Sequence, residues 1–224
     1  AAWRGDVVIA DGSTLRIRNT ASSSSFSGGF STDQRVLVAN NSLITIRNST
    51  AGQNSGGFWT KRLEVTDLST VHVKRTKAGR YGGGFSADDL VRVAGNSKIT
   101  VTDSHAIEGN GGGFQTSKLY LDSNSSIDLE TTSAGWSGGG VYAAASFSAG
   151  SESQSLVVAN GSTLRVRNAT ARGFGGGICV LGRAVITGWS NVQTSDCHAT
   201  SHDGGGISVS KRLLLNESSD VIIQ

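Results

Sequence analysis

Asp128 and Glu130 are separated by one residue, and Arg165 and Arg167 repeat that spacing further along the chain. In an extended strand, residues two apart share a face, so each pair presents its charges together. Two carboxylates beside cationic groups can serve as acid and base on a glycosidic bond, the chemistry of polysaccharide lyases and glycoside hydrolases. Other candidates are thinner. His105, His198 and His202 fall near turns and could chelate a metal only in pairs, while two cysteines make no zinc site, so neither metal nor cofactor is expected. Cys179 and Cys197 are either free thiols or a disulfide, the latter only if the fold brings their Cα atoms within about 7 Å. Arg4-Gly5-Asp6 spells an integrin-type tripeptide that leads straight into a strand. Asn-x-Ser/Thr sequons stand at Asn40, Asn48, Asn124, Asn160, Asn168 and Asn216, and favour an extracellular or cell-surface setting.

The elements that position these residues come from a repeat. Aligned on glycines, the chain gives Gly28-Gly29-Phe30, Gly56-Gly57-Phe58, Gly83-Gly84-Phe85, Gly112-Gly113-Phe114, Gly139-Gly140-Val141, Gly176-Gly177-Ile178 and Gly205-Gly206-Ile207, at intervals of 28, 27, 29, 27, 37 and 29 residues. The long interval predicts an insertion loop at about 143–155. A serine marks every unit: Ser13, Ser42, Ser69, Ser97, Ser125, Ser162, Ser190 and Ser219. Each unit holds three apolar alternations, such as Phe58 onward, Leu63/Val65 and Val71/Val73, and a period of two means a strand with one buried face. No helical periodicity is long enough for a crossover helix. The pattern predicts an all-β fold, a right-handed parallel β-helix with three short strands per coil and about eight coils of ~28 residues. The serine has inward parity and should form a hydroxyl ladder at one bend, bonded to backbone there. The glycine pair should serve a tight turn, because a phosphate-binding loop needs a helix after it.

With the inward positions fixed, outward rows follow. The third strand gives Arg16, Thr45, His72, Thr100, Asp128, Arg165, Gln193 and Ile222, so Asp128 and Glu130 should stack on Arg165 and Arg167 as an ion-pair ladder. Exposed pairs of this kind contribute about 0–1 kcal/mol each. The second strand gives Val8, Leu37, Glu64, Arg92, Tyr120, Val157, Val185 and Leu214. A stacked row this apolar forms a contiguous patch, and Val8, Leu37, Tyr120, Val157, Val185 and Leu214 are the expected contact with another protein or with further coils of the same chain. Net charge is +3, and the basic residues are not interleaved with aromatics, so nucleic acid is not an expected partner, while glycans are permitted. No apolar run reaches the ~20 residues of a transmembrane helix.

The Gly-Gly-hydrophobic motif with Asn/Thr-Ala ahead of it, as in Val166-Arg167-Asn168-Ala169-Thr170-Ala171 before Gly175-Gly176-Gly177-Ile178, resembles the polymorphic outer-membrane protein repeats of chlamydial surface autotransporters and similar repeats of protist surface proteins. The resemblance spans nearly the whole chain and implies a surface passenger used in adhesion. The chain reads as one β-helical domain, 1–224, excerpted from a longer array, since it opens on Ala1-Ala2-Trp3 and stops within the alternation Val221-Ile222-Ile223-Gln224. A structural or adhesive module is the expected function, and glycan cleavage by Asp128, Glu130, Arg165 and Arg167 is the alternative.

Overall fold

The computed structural model describes residues 2–23, 26–144 and 154–224. Within them the chain is a parallel β-solenoid of about eight turns with no helix. Each strand pairs in parallel with its equivalent one coil away, which builds a 13-stranded and a nine-stranded sheet. The nine-stranded sheet is made from the third strands, from Thr14–Ser22 to Asp220–Ile223. First and second strands share the other sheet. They are separate in Phe30–Thr32 and Arg35–Val38 but run on as one in Phe58–Val65, Phe85–Val93 and Phe114–Leu121. A register shift between Thr60 and Arg62 marks the corner that remains, where the longer partner strand carries Asp88 and Asp89.

The inward side chains form columns. Ile44, Val71, Ile99, Ile127 and Leu164 lie one above another, as do Val38, Val65, Val93, Leu121 and Val158, all fully buried. Phe30, Phe58, Phe85 and Phe114 stack with ring centroids 5.1, 4.9 and 4.8 Å apart and planes within 8°. The column continues as Val141, Ile178 and Ile207 where coils carry smaller residues.

Corners are set by backbone conformation. Eight successive pairs take the left-handed region immediately before the repeated serine, from Asp11-Gly12 and Asn40-Asn41 to Gly188-Trp189 and Glu217-Ser218. The second residue of each pair donates its N–H to the first residue's carbonyl in the following coil, as Asn41 does to Asp67 at 2.7 Å. The serine itself then closes the corner: from Ser13 to Ser190, each backbone N–H donates to the Oγ of the next coil's serine at 3.1–3.2 Å. The expected hydroxyl ladder is therefore present. A second bend falls inside the third strand, where Asn19, Asn48, Arg75, Asp103, Thr131, Asn168 and Asp196 have φ between 49° and 55°.

The glycine pair closes the coil against the end of that third strand. A Cβ on Gly56 would lie 2.2 Å from the Gly83 carbonyl and 2.6 Å from the Lys77 nitrogen, so backbone meets backbone with no room for a side chain. The insertion begins later and ends earlier than the expected 143–155. Ala143 and Ser155 are buried within Val141–Ala144 and Gln154–Val158, and the residues between those strands lie outside the described ones.

Two substitutions probe the columns. Ser97→Ala removes the acceptor for the buried Ser69 N–H and is expected to destabilise by about 1–3 kcal/mol in urea denaturation. Phe85→Ala, losing stacking on both sides, is expected to cost about 3–5 kcal/mol by the same measurement.

Candidate interaction surface

Because side chains alternate across a strand, the residues between inward columns form outward columns in the same register. The second-strand row is continuous: Val8 pairs with Leu37, Leu37 with Glu64, Glu64 with Arg92, Arg92 with Tyr120, Tyr120 with Val157, Val157 with Val185, and Val185 with Leu214. Val8 is 56% exposed, and the other five apolar members are partly buried against their neighbours. Glu64 and Arg92 divide the row, leaving Tyr120, Val157, Val185 and Leu214 as the longer uninterrupted strip.

The third-strand face carries the charges. Asp128 sits between two cations from the neighbouring coils, Lys98 Nζ at 2.7 Å and Arg165 Nη1 at 3.4 Å. Arg165 Nε also donates to Gln193 Oε1 at 2.9 Å. Glu130 meets Arg167 at 3.4 Å, one row along. Each carboxylate is thus matched to its own partner. A hollow of about 210 Å³ beside the arginines has neither Asp128 nor Glu130 in its wall. On the same face His72 is held below its ordinary pKa, first by burial and then by Lys98 and Arg47.

Other sequence candidates resolve individually. The two thiols are not bonded. Ile178 and Val180 point inward, which sends Cys179 to the opposite face of its strand, whereas Cys197 packs in the core beneath Gly177. Cys179 has outward parity yet is 1% exposed. Cys197 Sγ lies 3.2 Å from the Ser195 carbonyl, the position that Ser104 Oγ takes relative to Thr102, so it stands in for a bend hydroxyl. Asp6 of the Arg-Gly-Asp tripeptide is engaged by Arg35 through the backbone N–H, Nε and Nη2, the last at 2.8 Å. His105 Nδ1 bonds Ser133 Oγ at 2.8 Å, and His202 packs on Phe174 and Trp136. His198 is exposed on the two-residue strand His198–Ala199.

All six sequon asparagines are exposed. Asn40, Asn48, Asn124, Asn160 and Asn168 have φ between 49° and 55°, a conformation asparagine tolerates better than most residues. Four of these also bridge coils, as Asn48 Nδ2 does to Asn19 Oδ1 at 2.9 Å. At the serine corner an asparagine two residues before the repeated serine spells a sequon automatically. The fold's own geometry therefore accounts for these asparagines, with or without a glycan.

Sequence reasoning missed two surface features. Exposed aromatics stand just before four of the seven glycine turns, namely Phe26, Tyr81, Trp136 and Phe174, and their recurrence ahead of those glycine runs was the available signal. Trp189 is 76% exposed and takes φ 61°, a backbone state that costs a non-glycine residue about 1–2 kcal/mol. It borders a shallow hollow of about 720 Å³ with Asn124, Asn160, Gly161, Gly188 and Glu217.

Among the described residues no helix is long and apolar enough to cross a membrane. No family model, curated protein or solved structure matches the chain.

Burial pushes the Cys179 thiol up to about 11, above the ~8.5 of an unfolded thiol. Its contribution to stability is therefore whole below the unfolded value and is lost as pH rises toward 11. Native protein should resist thiol labelling at neutral pH and react once denatured, and Cys179→Ser should flatten the alkaline fall in melting temperature. Ser55 takes φ 40° where later coils place glycine, and its buried Oγ has no hydrogen-bond partner. Ser55→Gly is expected to stabilise by about 1 kcal/mol in thermal or urea unfolding.

Proposed function

We propose that the chain is a structural or adhesive β-solenoid module of a cell-surface or extracellular protein, and that its lateral second-strand face contacts another protein. The observation that carries this reading is the register of Tyr120, Val157, Val185 and Leu214, which turns four separate side chains into one apolar strip on a stiff sheet. Apolar and aromatic anchors on a preorganised surface are what protein contacts use, since little side-chain freedom is lost on binding. The third-strand face supports the same reading from the other side. Asp128 and Glu130 are matched to Lys98, Arg165 and Arg167 across coils, an arrangement that balances charge in a stack. The resemblance of the Gly-Gly-hydrophobic units to autotransporter passenger repeats agrees with a surface role. Further coils of the same chain would extend the rod and its strip together.

Beads coated with the protein, scored for attachment to cell monolayers and to one another, test this. Val157→Asp with Leu214→Asp should abolish attachment while leaving the melting temperature within a few degrees, because both side chains face outward. Asp128→Asn with Glu130→Gln should leave attachment intact. Incubation with acidic polysaccharides provides the contrary outcome: unsaturated products or new reducing ends that vanish in Asp128→Asn would replace adhesion with glycan cleavage.

A further inference from the structure

The serine corner offers a site that the lateral strip does not involve. Along this corner the second left-handed position is held in turn by Asn124, Gly161 and Trp189, and the first by Ser123, Asn160, Gly188 and Glu217. Gly12 and Gly95 stand alone on this edge, but Gly161 and Gly188 are neighbours, which leaves two adjacent side chains out of it. The gap they leave is the hollow of about 720 Å³. The Trp189 indole stands on one side and Asn124 on the other, two strand spacings or roughly 10 Å apart. The Asn124 carboxamide leans over Gly161, where a Cβ would stand 2.3 Å from Asn124 Oδ1.

The polar groups around the gap are already oriented. Asn160 Nδ2 is held by Asp122 Oδ1 at 2.7 Å, and Glu217 Oε2 accepts from Thr187 Oγ1 at 3.0 Å. Carboxamides can both donate and accept, a carboxylate accepts, and no cation lines the hollow, which disfavours an anionic ligand. An open aromatic face beside carboxamides and one carboxylate acceptor suits a ring that has one apolar face and hydroxyls at its edge. Among the described residues Trp189 has the most exposed large apolar side chain, 76%, carried on a left-handed corner whose conformation every coil shares. We propose that the hollow beside Trp189 is a saccharide-binding subsite in which the indole stacks on a neutral sugar ring and Asn124, Asn160 and Glu217 bond its hydroxyl or acetamido groups.

The sugar has two conceivable sources: a glycan on the chain's own sequons, since Asn124 and Asn160 both line the hollow, or a saccharide from outside. The chemistry is shared, and one experiment with two arms separates them. Protein made in a bacterial host, without glycans, is titrated with N,N′-diacetylchitobiose, cellobiose and maltose by saturation-transfer NMR and indole fluorescence. Protein from a glycosylating host is mapped for occupancy at Asn124 and Asn160, and Trp189 oxidation by N-bromosuccinimide is compared before and after glycan removal. Saturable disaccharide binding that Trp189→Gly weakens roughly tenfold or more supports the subsite with an outside sugar. Shielding of Trp189 that disappears with the glycans supports it with the chain's own. Trp189→Gly relaxes the backbone strain, so it should melt at the same temperature or higher, which separates lost binding from lost folding. The proposal is overturned if Trp189→Gly binds as tightly as the parent, or if no disaccharide binds and Trp189 reacts equally with and without glycans.

Discussion

The parallel hydrogen-bond ladder between coils governs everything else in this protein. It places each residue about 4.8 Å from its counterpart in the next coil, so like must tolerate like directly above it. Phenylalanine rings meet that condition by lying flat on one another at 4.8–5.1 Å. Serine meets it because one hydroxyl accepts from the backbone beneath. Charged residues meet it either as opposite signs, as Asp128 does on Arg165 and Glu130 on Arg167, or as like charges held out in solvent, as Arg18, Arg47 and Lys74 are. Where even a methyl group is too much, as at Gly56 and Gly57, the column is glycine throughout.

That constraint also says where function can reside. The inward and corner columns are committed to the stack, whereas outward positions are free to vary between coils. The second-strand row uses this freedom to collect aliphatic side chains and Tyr120, interrupted by Glu64 and Arg92. The serine corner is different again, because its backbone is fixed but its side chains project into solvent. Leu68 and Trp189 show what that allows: bulky apolar groups, 62% and 76% exposed, in a conformation that suits glycine and asparagine better.

Much of this was legible in the sequence because columns are repeats. The serine and glycine marks survive in nearly every unit, since the contacts behind them admit one residue type, and they gave the coil length, the parity of each strand and the rows on each face. The left-handed corner was hidden for the opposite reason. Asp, Asn, Gly, Ser, Leu, Trp and Glu all occupy it, so the requirement lies in φ and leaves no single letter. The bend at Asn48, Arg75 and Thr131 was hidden in the same way. Run-on strands such as Phe85–Val93 escaped notice because a gentle corner needs no glycine. Cys179 had the right parity, but parity does not tell whether an outward side chain is covered.

The ladder at the serine corner runs one way. Ser69 donates to Ser97 and Ser97 to Ser125, so every coil lends its acceptor backwards along the chain. The glycine corner has the same sense, with Gly57 donating to Gly84 and Gly84 to Gly113. The molecule is therefore directional along its axis, although its cross-section repeats. A coil that opens nevertheless withdraws acceptors on both sides: Ser42 N–H would lose the Ser69 hydroxyl, and Lys98 N–H in the following coil would lose the Ser69 carbonyl. Corner fraying should accordingly spread to both neighbours of an opened coil, so the rod has a polarity along its axis without a preferred direction of unzipping.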